Sequence, residues 1–273
     1  MASPSIAGLE FGSLSMVDFR GADVELFTAG SGDPLLFLHG LDGLEGAAGL
    51  LEELARSYSV HAPSHPGFGG SPRRGEIDRA SDLGYFYLDF LDRLELGAPV
   101  IVGTSFGGWV AAEILTKEPA RAASLTLVSP LGLKTADRRE QYVADIFMLS
   151  RQELAQRMQQ GDPAPLQNIM DLPEEQLRRA MCNDEAMSLY GWTPYMCNPK
   201  LAGRLHRITC PAQILWGAED AIATRAYHQA WAAAMPQAET AIIADAGFRL
   251  HADQPAAVAA RIAALAGARK EPA

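Results

Sequence analysis

Apolar positions along the chain fall into short continuous runs, separated by longer stretches with helical spacing. PLLFLHG (Pro34 to Gly40), SVHAPS (Ser59 to Ser64), PVIVGTS (Pro99 to Ser105), SLTLVSP (Ser124 to Pro130), AQILWGAED (Ala212 to Asp220) and ETAIIADAG (Glu239 to Gly247) each read as a buried strand. Strands covered on both faces lose the polar alternation of a half-exposed sheet, and these runs have lost it. Near the start, SLSMVDF and ADVELFTAG read as an edge hairpin with Gly21 in the turn. Between the runs, Leu83, Phe86, Tyr87, Phe90, Leu91 and Leu94 share one helical face, as do Val258, Ile262 and Leu265 behind Pro255, a residue suited to a first helical turn. Alternating strand and helix predicts an α/β fold with a mostly parallel, doubly wound sheet.

One region breaks the alternation. From about Lys134 to Arg204 no good strand is legible, and two helices are expected, around Arg139 to Gln159 and Pro173 to Gly191. The segment is rich in Met148, Met158, Met170, Met181, Met187, Tyr190, Trp192, Tyr195 and Met196. We read residues 134–204 as a helical lid inserted into a core formed by 1–133 and 205–273.

Composition narrows the class of partner. A formal charge of −10 over 273 residues argues against nucleic acid and anionic membrane surfaces. No apolar run approaches the ~20 residues of a membrane span, and the first residues show no secretory leader pattern. The three cysteines, Cys182, Cys197 and Cys210, fit no metal motif and read as reduced thiols, so a cytoplasmic location is the expectation. No metal or organic cofactor is implied, a small hydrophobic molecule is the expected partner, and oligomeric state is left open.

The chemistry centres on VIVGTSFGGWVAAEIL. Gly103, Ser105 and Gly107 have G-x-S-x-G spacing, with a strand before and a helix after. Such a turn forces the serine into a strained backbone state and exposes its oxygen at a helix N-terminus, where negative charge is favoured. Oxyanion donors are expected from the backbone N–H groups of Leu41, within FLHGLDG where a strand ends, and of Phe106. His39 in the same stretch reads as a brace for the loop. Asp220, at the carboxyl end of a late strand, lies on the same rim as Ser105 and is the expected acid; its neighbour Glu219 should point elsewhere.

With these residues the sequence resembles the α/β-hydrolase superfamily, and most of all its lidded bacterial esterase and C–C-bond hydrolase-like branch. The resemblance rests on LHG (Leu38 to Gly40), HPGFGGS (His65 to Ser71), GTSFGG (Gly103 to Gly108), WGAED (Trp216 to Asp220) and the closing DAG…DQP. It implies a Ser–His–Asp hydrolase of a carboxylic ester, or of a related acyl or C–C bond. Serine in the nucleophile's place disfavours epoxide hydrolase and dehalogenase chemistry, which uses aspartate.

The resemblance breaks at the base. Where the family usually has a histidine after Ala-Gly, this chain has Phe248, and the DQP tail keeps the register. Three readings follow: His251 serves as base; the chain is catalytically impaired; or the pocket binds a ligand, or does other chemistry, without a Ser–His relay. The second predicts Phe248 in the base position and Asp220 without its usual imidazole, hydrated or bonded elsewhere.

Overall fold

A computed structural model describes residues 6, 8–135, 141–158, 160–161 and 171–268. The strands are β1 (Ser13–Phe19), β2 (Ala22–Ala29), β3 (Asp33–Leu38), β4 (Tyr58–Pro63), β5 (Val100–Thr104), β6 (Ser124–Val128), β7 (Gly132–Leu133), β8 (Cys197–Asn198), β9 (Ala212–Gly217) and β10 (Glu239–Ile243). The helices are α1 (Ala48–Ala55), α2 (Ala80–Arg93), α3 (Phe106–Lys117), α4 (Arg151–Met158), α5 (Glu174–Gly191), α6 (Arg225–Ala234), α7 (Leu250–Asp253) and α8 (Pro255–Gly267).

Eight strands form one sheet in the order β1-β2-β4-β3-β5-β6-β9-β10. Pairing is antiparallel from β1 through β2 to β4, and parallel from there onward. The β1–β2 turn places Arg20 and Gly21 at positive φ (52° and 80°), the tight hairpin geometry that matches strand twist.

The two-residue period of the central strands sends side chains alternately to two cores. Leu36, Leu38, Ile101, Leu127, Ile214 and Trp216 join one apolar cluster with α2, α3 and α6. Leu35, Phe37, Val102, Val128 and Leu215 join a second with α1 and α8. Helix α3 is buried from Phe106 through Thr116, and Ala111 and Ala112 keep its sheet-facing surface small. Pro255 opens α8 as expected, and Val258 and Ile262 are its buried positions.

Two sequence expectations are corrected. β10 is an edge strand with exposed positions, Ile242 among them, because it pairs with β9 alone. The helix expected over 139–159 begins only at Arg151; residues 139, 140 and 159 lie outside the described set. Residues 142–144 are extended instead: Thr224 N–H donates to Tyr142 C=O (2.9 Å) and Ala144 N–H to Ile222 C=O (2.8 Å). Cross-strand pairing satisfies their backbone where a helix would have done so.

The segment from Lys134 to Arg204 leaves the core after β7 and returns before β9. Its β8 pairs with β7, a short strand that the sequence did not signal. Helix α5 is tied to the core by polar contacts. Arg179 donates to the buried Glu25 carboxylate at 2.6 and 2.9 Å and also to Glu45. Gly69 N–H donates to Asn183 Oδ1 (2.8 Å), and Tyr190 OH donates to Pro66 C=O (2.9 Å). Burial alone would raise the affinity of Glu25 for a proton, but the Arg179 guanidinium and Ser64 outweigh it and hold the carboxyl below its usual range.

Candidate active site

Ser105 is the residue between β5 and α3, at φ 50° and ψ −113°. A non-glycine residue at positive φ outside the ordinary left-handed well is strained by about 1–3 kcal/mol. The surroundings fix it there. Its N–H donates to Val128 C=O (2.8 Å), and its C=O accepts from Gly108, Trp109 and Leu131 N–H. The flanking glycines are sterically required. A Cβ on Gly103 would lie 2.4 Å from Gly107 C=O oxygen, and one on Gly107 would lie 2.0 Å from Leu38 C=O oxygen. The second contact shows how closely the elbow abuts the end of β3. A Cβ on Gly40 would come within 3.1 Å of Ser105 Cβ, so the loop carrying Leu41 runs beside the serine. Phe106 opens α3, fully buried.

Against the expectation of an exposed oxygen, the Ser105 Oγ atom is buried and has no hydrogen-bond partner, and Ser105 lines none of the described cavities. One turn along α3 lies a cavity of about 360 Å³, lined by Trp109, Tyr190, Pro194, Asn198 and Lys200 among others. The 134–204 segment supplies most of these residues. Its Met187, Tyr190 and Met196 are buried in the same cluster as Phe106 and Trp109, whereas Met148, Met181 and Trp192 face solvent; Met170 lies outside the described residues.

His39 is a brace. Its Nδ1–H donates to Gly40 C=O (2.8 Å) and its Nε2 accepts from His65 N–H (3.0 Å). His65 Nε2–H in turn donates to His39 C=O (3.0 Å), leaving Nδ1 to accept from Tyr87 OH. Each imidazole is locked in one neutral tautomer. Burial pushes the pKa of His39 down to about 4 and that of His65 well below its usual value. Neither ring is free to act as a base.

The two acids at the end of β9 part ways. Glu219 turns toward the 246 loop, where its Oε2 accepts from Ala246 N–H (3.0 Å). Asp220, almost fully buried, accepts at Oδ1 from Ile222 N–H (2.9 Å) and Ala223 N–H (2.8 Å). Its Oδ2 faces His228 Nε2 at 3.3 Å. The sequence reading passed over His228. It stands eight residues after Asp220, one turn beyond the Thr224 cap of α6, and no short-range motif links the two.

The opening of the last helices separates Phe248 from His251. A Cβ on Gly217 would lie 2.1 Å from Gly247 C=O oxygen, so the 247 loop passes directly against the end of β9. Phe248, 1% exposed, belongs to the cluster that holds Phe106, Trp216, Ile222 and Ala223. Leu250 belongs to the opposite cluster, and α7 packs on α1. His251, on α7, is buried with both ring nitrogens unpartnered; the nearest acid is Asp42, at 4.0 Å from Nε2. Arg249 already holds that carboxylate at 2.8 Å. Burial lowers the proton affinity of His251, with Asp42 opposing and Arg249 adding to the effect. Phe248 thus shares an apolar cluster with Ile222 and Ala223, which follow Asp220, while α7 carries His251 toward α1 and Asp42.

Among the described residues, no cluster of three or more His, Cys, Asp or Glu is placed to hold a metal ion, and no helix is long and apolar enough to cross a membrane.

Comparison with known proteins places the fold. The dihydrolipoyllysine-residue acetyltransferase component of the acetoin cleaving system of Cupriavidus necator is 29% identical over 250 residues, covering 84% of this chain and 63% of that protein. The 2-hydroxymuconate semialdehyde hydrolase of Pseudomonas sp. (strain CF600) is 33% identical over 118 residues, covering 41% of this chain and 42% of that one. The chain therefore spans less than two thirds of either relative. Among solved structures, a carboxylesterase of Bacillus subtilis superposes with a TM-score of 0.73 at 18% identity, covering 93% of this chain and 91% of that one. The model of the alpha/beta hydrolase family matches residues 35–261, which takes in the elbow, the acid and the 248 loop. The chain belongs to the alpha/beta hydrolase family.

Proposed function

We propose that this protein is a serine hydrolase in design, directed at a carboxylic ester or a related acyl or C–C bond of a small hydrophobic molecule, and catalytically impaired because Phe248 stands where the base belongs. Ser105 is the nucleophile, Asp220 the acid, and the Leu41 and Phe106 amides the oxyanion donors. The 134–204 segment acts as the lid. Its buried Met187, Tyr190 and Met196, together with Trp109, support an apolar ligand. The family and its hydrolase-named relatives support a hydrolytic function in general.

The observation that carries the reading is the residue at 248: a buried phenylalanine where the resemblance calls for a histidine. A phenyl ring accepts no proton, so the Ser105 hydroxyl stays protonated and a weak nucleophile. Loss of the histidine alone costs about 10⁶ in turnover in a serine hydrolase, while ~10³–10⁴ over water survives from binding and the oxyanion hole. The same residue favours a second reading, a ligand-binding protein without turnover. A fluorophosphonate tests both. Slow labelling of Ser105, absent in Ser105→Ala and much faster in Phe248→His, supports the impaired hydrolase. No labelling in either the parent or Phe248→His supports the binding protein. A parent that labels as fast as Phe248→His contradicts the assignment of Phe248.

A further inference from the structure

We propose that His228 is a positioning residue that holds Asp220 in the absence of an imidazole at 248. The inference rests on Asp220 being the acid of the site.

The Asp220 carboxylate has about four acceptor positions, two on each oxygen. Oδ1 takes two backbone N–H groups from its own loop. Those bonds set where the carboxylate sits. They leave Oδ2 without a donor in a place almost closed to water, and a buried anion with a bare oxygen is costly. In the ordinary triad that oxygen takes the base. Phe248 brings no donor, and the His251 ring has Asp42 as its nearest acid. The donor that reaches Oδ2 comes from α6. His228 is itself buried, and its ring lies flat on Trp216, 3.9 Å between centroids at 14°. Trp216 is the penultimate residue of β9, four residues before Asp220. One strand end thus carries both the acid and the platform that orients the acid's partner. Facing a carboxylate, Nε2 must carry the proton. Nδ1 has no hydrogen-bond partner, so the contact with Asp220 is the ring's one polar tie.

The geometry has a consequence for restoring the site. Oδ2 retains a second acceptor position, so an imidazole at 248 meets a carboxylate already turned and fixed. His228 should therefore help such a base rather than compete with it.

Two measurements test this. The first uses ¹⁵N-histidine NMR on the parent protein and needs no turnover. The His228 ring, assigned through His228→Gln, should show a hydrogen-bonded proton on Nε2 that is lost or strongly shifted in Asp220→Asn. An unchanged ring signal in Asp220→Asn overturns the proposal. The second uses an activated aryl ester in the Phe248→His background. His228→Phe keeps a flat ring over Trp216 and removes the donor; kcat should fall roughly tenfold to a hundredfold with KM unchanged, the scale of one hydrogen bond to a charged group. His228→Gln, which keeps an N–H donor, should recover most of that loss. A kcat that is unchanged or raised by His228→Phe overturns the proposal, as does equal loss in the Gln variant. If Phe248→His gains no activity at all, the hydrolase reading fails, and the NMR result alone then decides whether His228 holds Asp220.

Discussion

Ser105 and Asp220, the proposed nucleophile and acid, follow β5 and β9 of the same sheet, with β6 between the two strands, and they differ in how they are held. Around Ser105 the constraints are local and complete. Flanking glycines, a helix N-terminus and a neighbouring strand end leave the serine one conformation. Around Asp220 they are distant and rearranged. Its carboxylate is held by its own loop and by a histidine from α6, while the 248 loop presents a phenyl ring. A strained elbow persists only while its surroundings over-determine it. A base is a single side chain, and one substitution removes it without disturbing the backbone. On the proposed reading, the framework of a catalytic site outlasts the group that gives it turnover.

The largest expected effect attacks the intact end. Gly107→Ala drives a Cβ to 2.0 Å from a backbone oxygen of Leu38, with no flexible side chain to yield. It should cost about 4 kcal/mol or more and leave little folded protein, the range reserved for severe backbone clashes. Urea unfolding followed by tryptophan fluorescence checks it; a variant within 1 kcal/mol of the parent by the same probe, at the ~10–15% precision of such extrapolations, breaks the claim of a rigid elbow.

Next is the tie between the inserted segment and the core. Arg179→Met leaves the buried Glu25 carboxylate without its guanidinium and should destabilise the protein by about 3–5 kcal/mol. The double variant Arg179→Met, Glu25→Met removes both charges and should recover much of that loss. A double variant as unstable as the single one contradicts the pairing.

A smaller effect separates the histidines. His39, His65 and His251 are all held neutral by burial, with folded-state pKa values below the unfolded value of about 6.5. The unfolded chain then binds more protons as pH falls, so stability is full above about pH 6.5 and drains away below it, toward about pH 4 for His39. Each such ring contributes roughly 1.4 kcal/mol per pH unit inside its window. His251→Leu should flatten the acid-side slope by one histidine's share. A slope unchanged by that variant means His251 is not buried neutral, and reopens its candidacy as base.

Much of this was legible in the chain. The central strands announced themselves because burial on both faces erases polar alternation, and the elbow did so because its glycines and serine fall within five consecutive residues. The edge position of β10 was not legible, since ETAII is apolar enough for a core strand and its exposure depends on which neighbour it lacks. The late start of α4 was not legible either, because Tyr142 to Ala144 find their partners beyond Asp220, eighty residues away. His228 escaped notice for a related reason. Its link to Asp220 crosses a loop and a helix cap, and only the packing of α6 against Trp216 brings the two groups together.

The central claim is that Phe248, and not His251, occupies the place of the base. It is tested most directly by turnover of an activated aryl ester in the parent, Phe248→His and His251→Ala. Turnover should rise by several orders of magnitude in Phe248→His, given the ~10⁶ scale of losing such a base, and stay near the parent's low level in His251→Ala. If His251→Ala abolishes a substantial parent activity while Phe248→His adds nothing, His251 is the base and the claim is wrong.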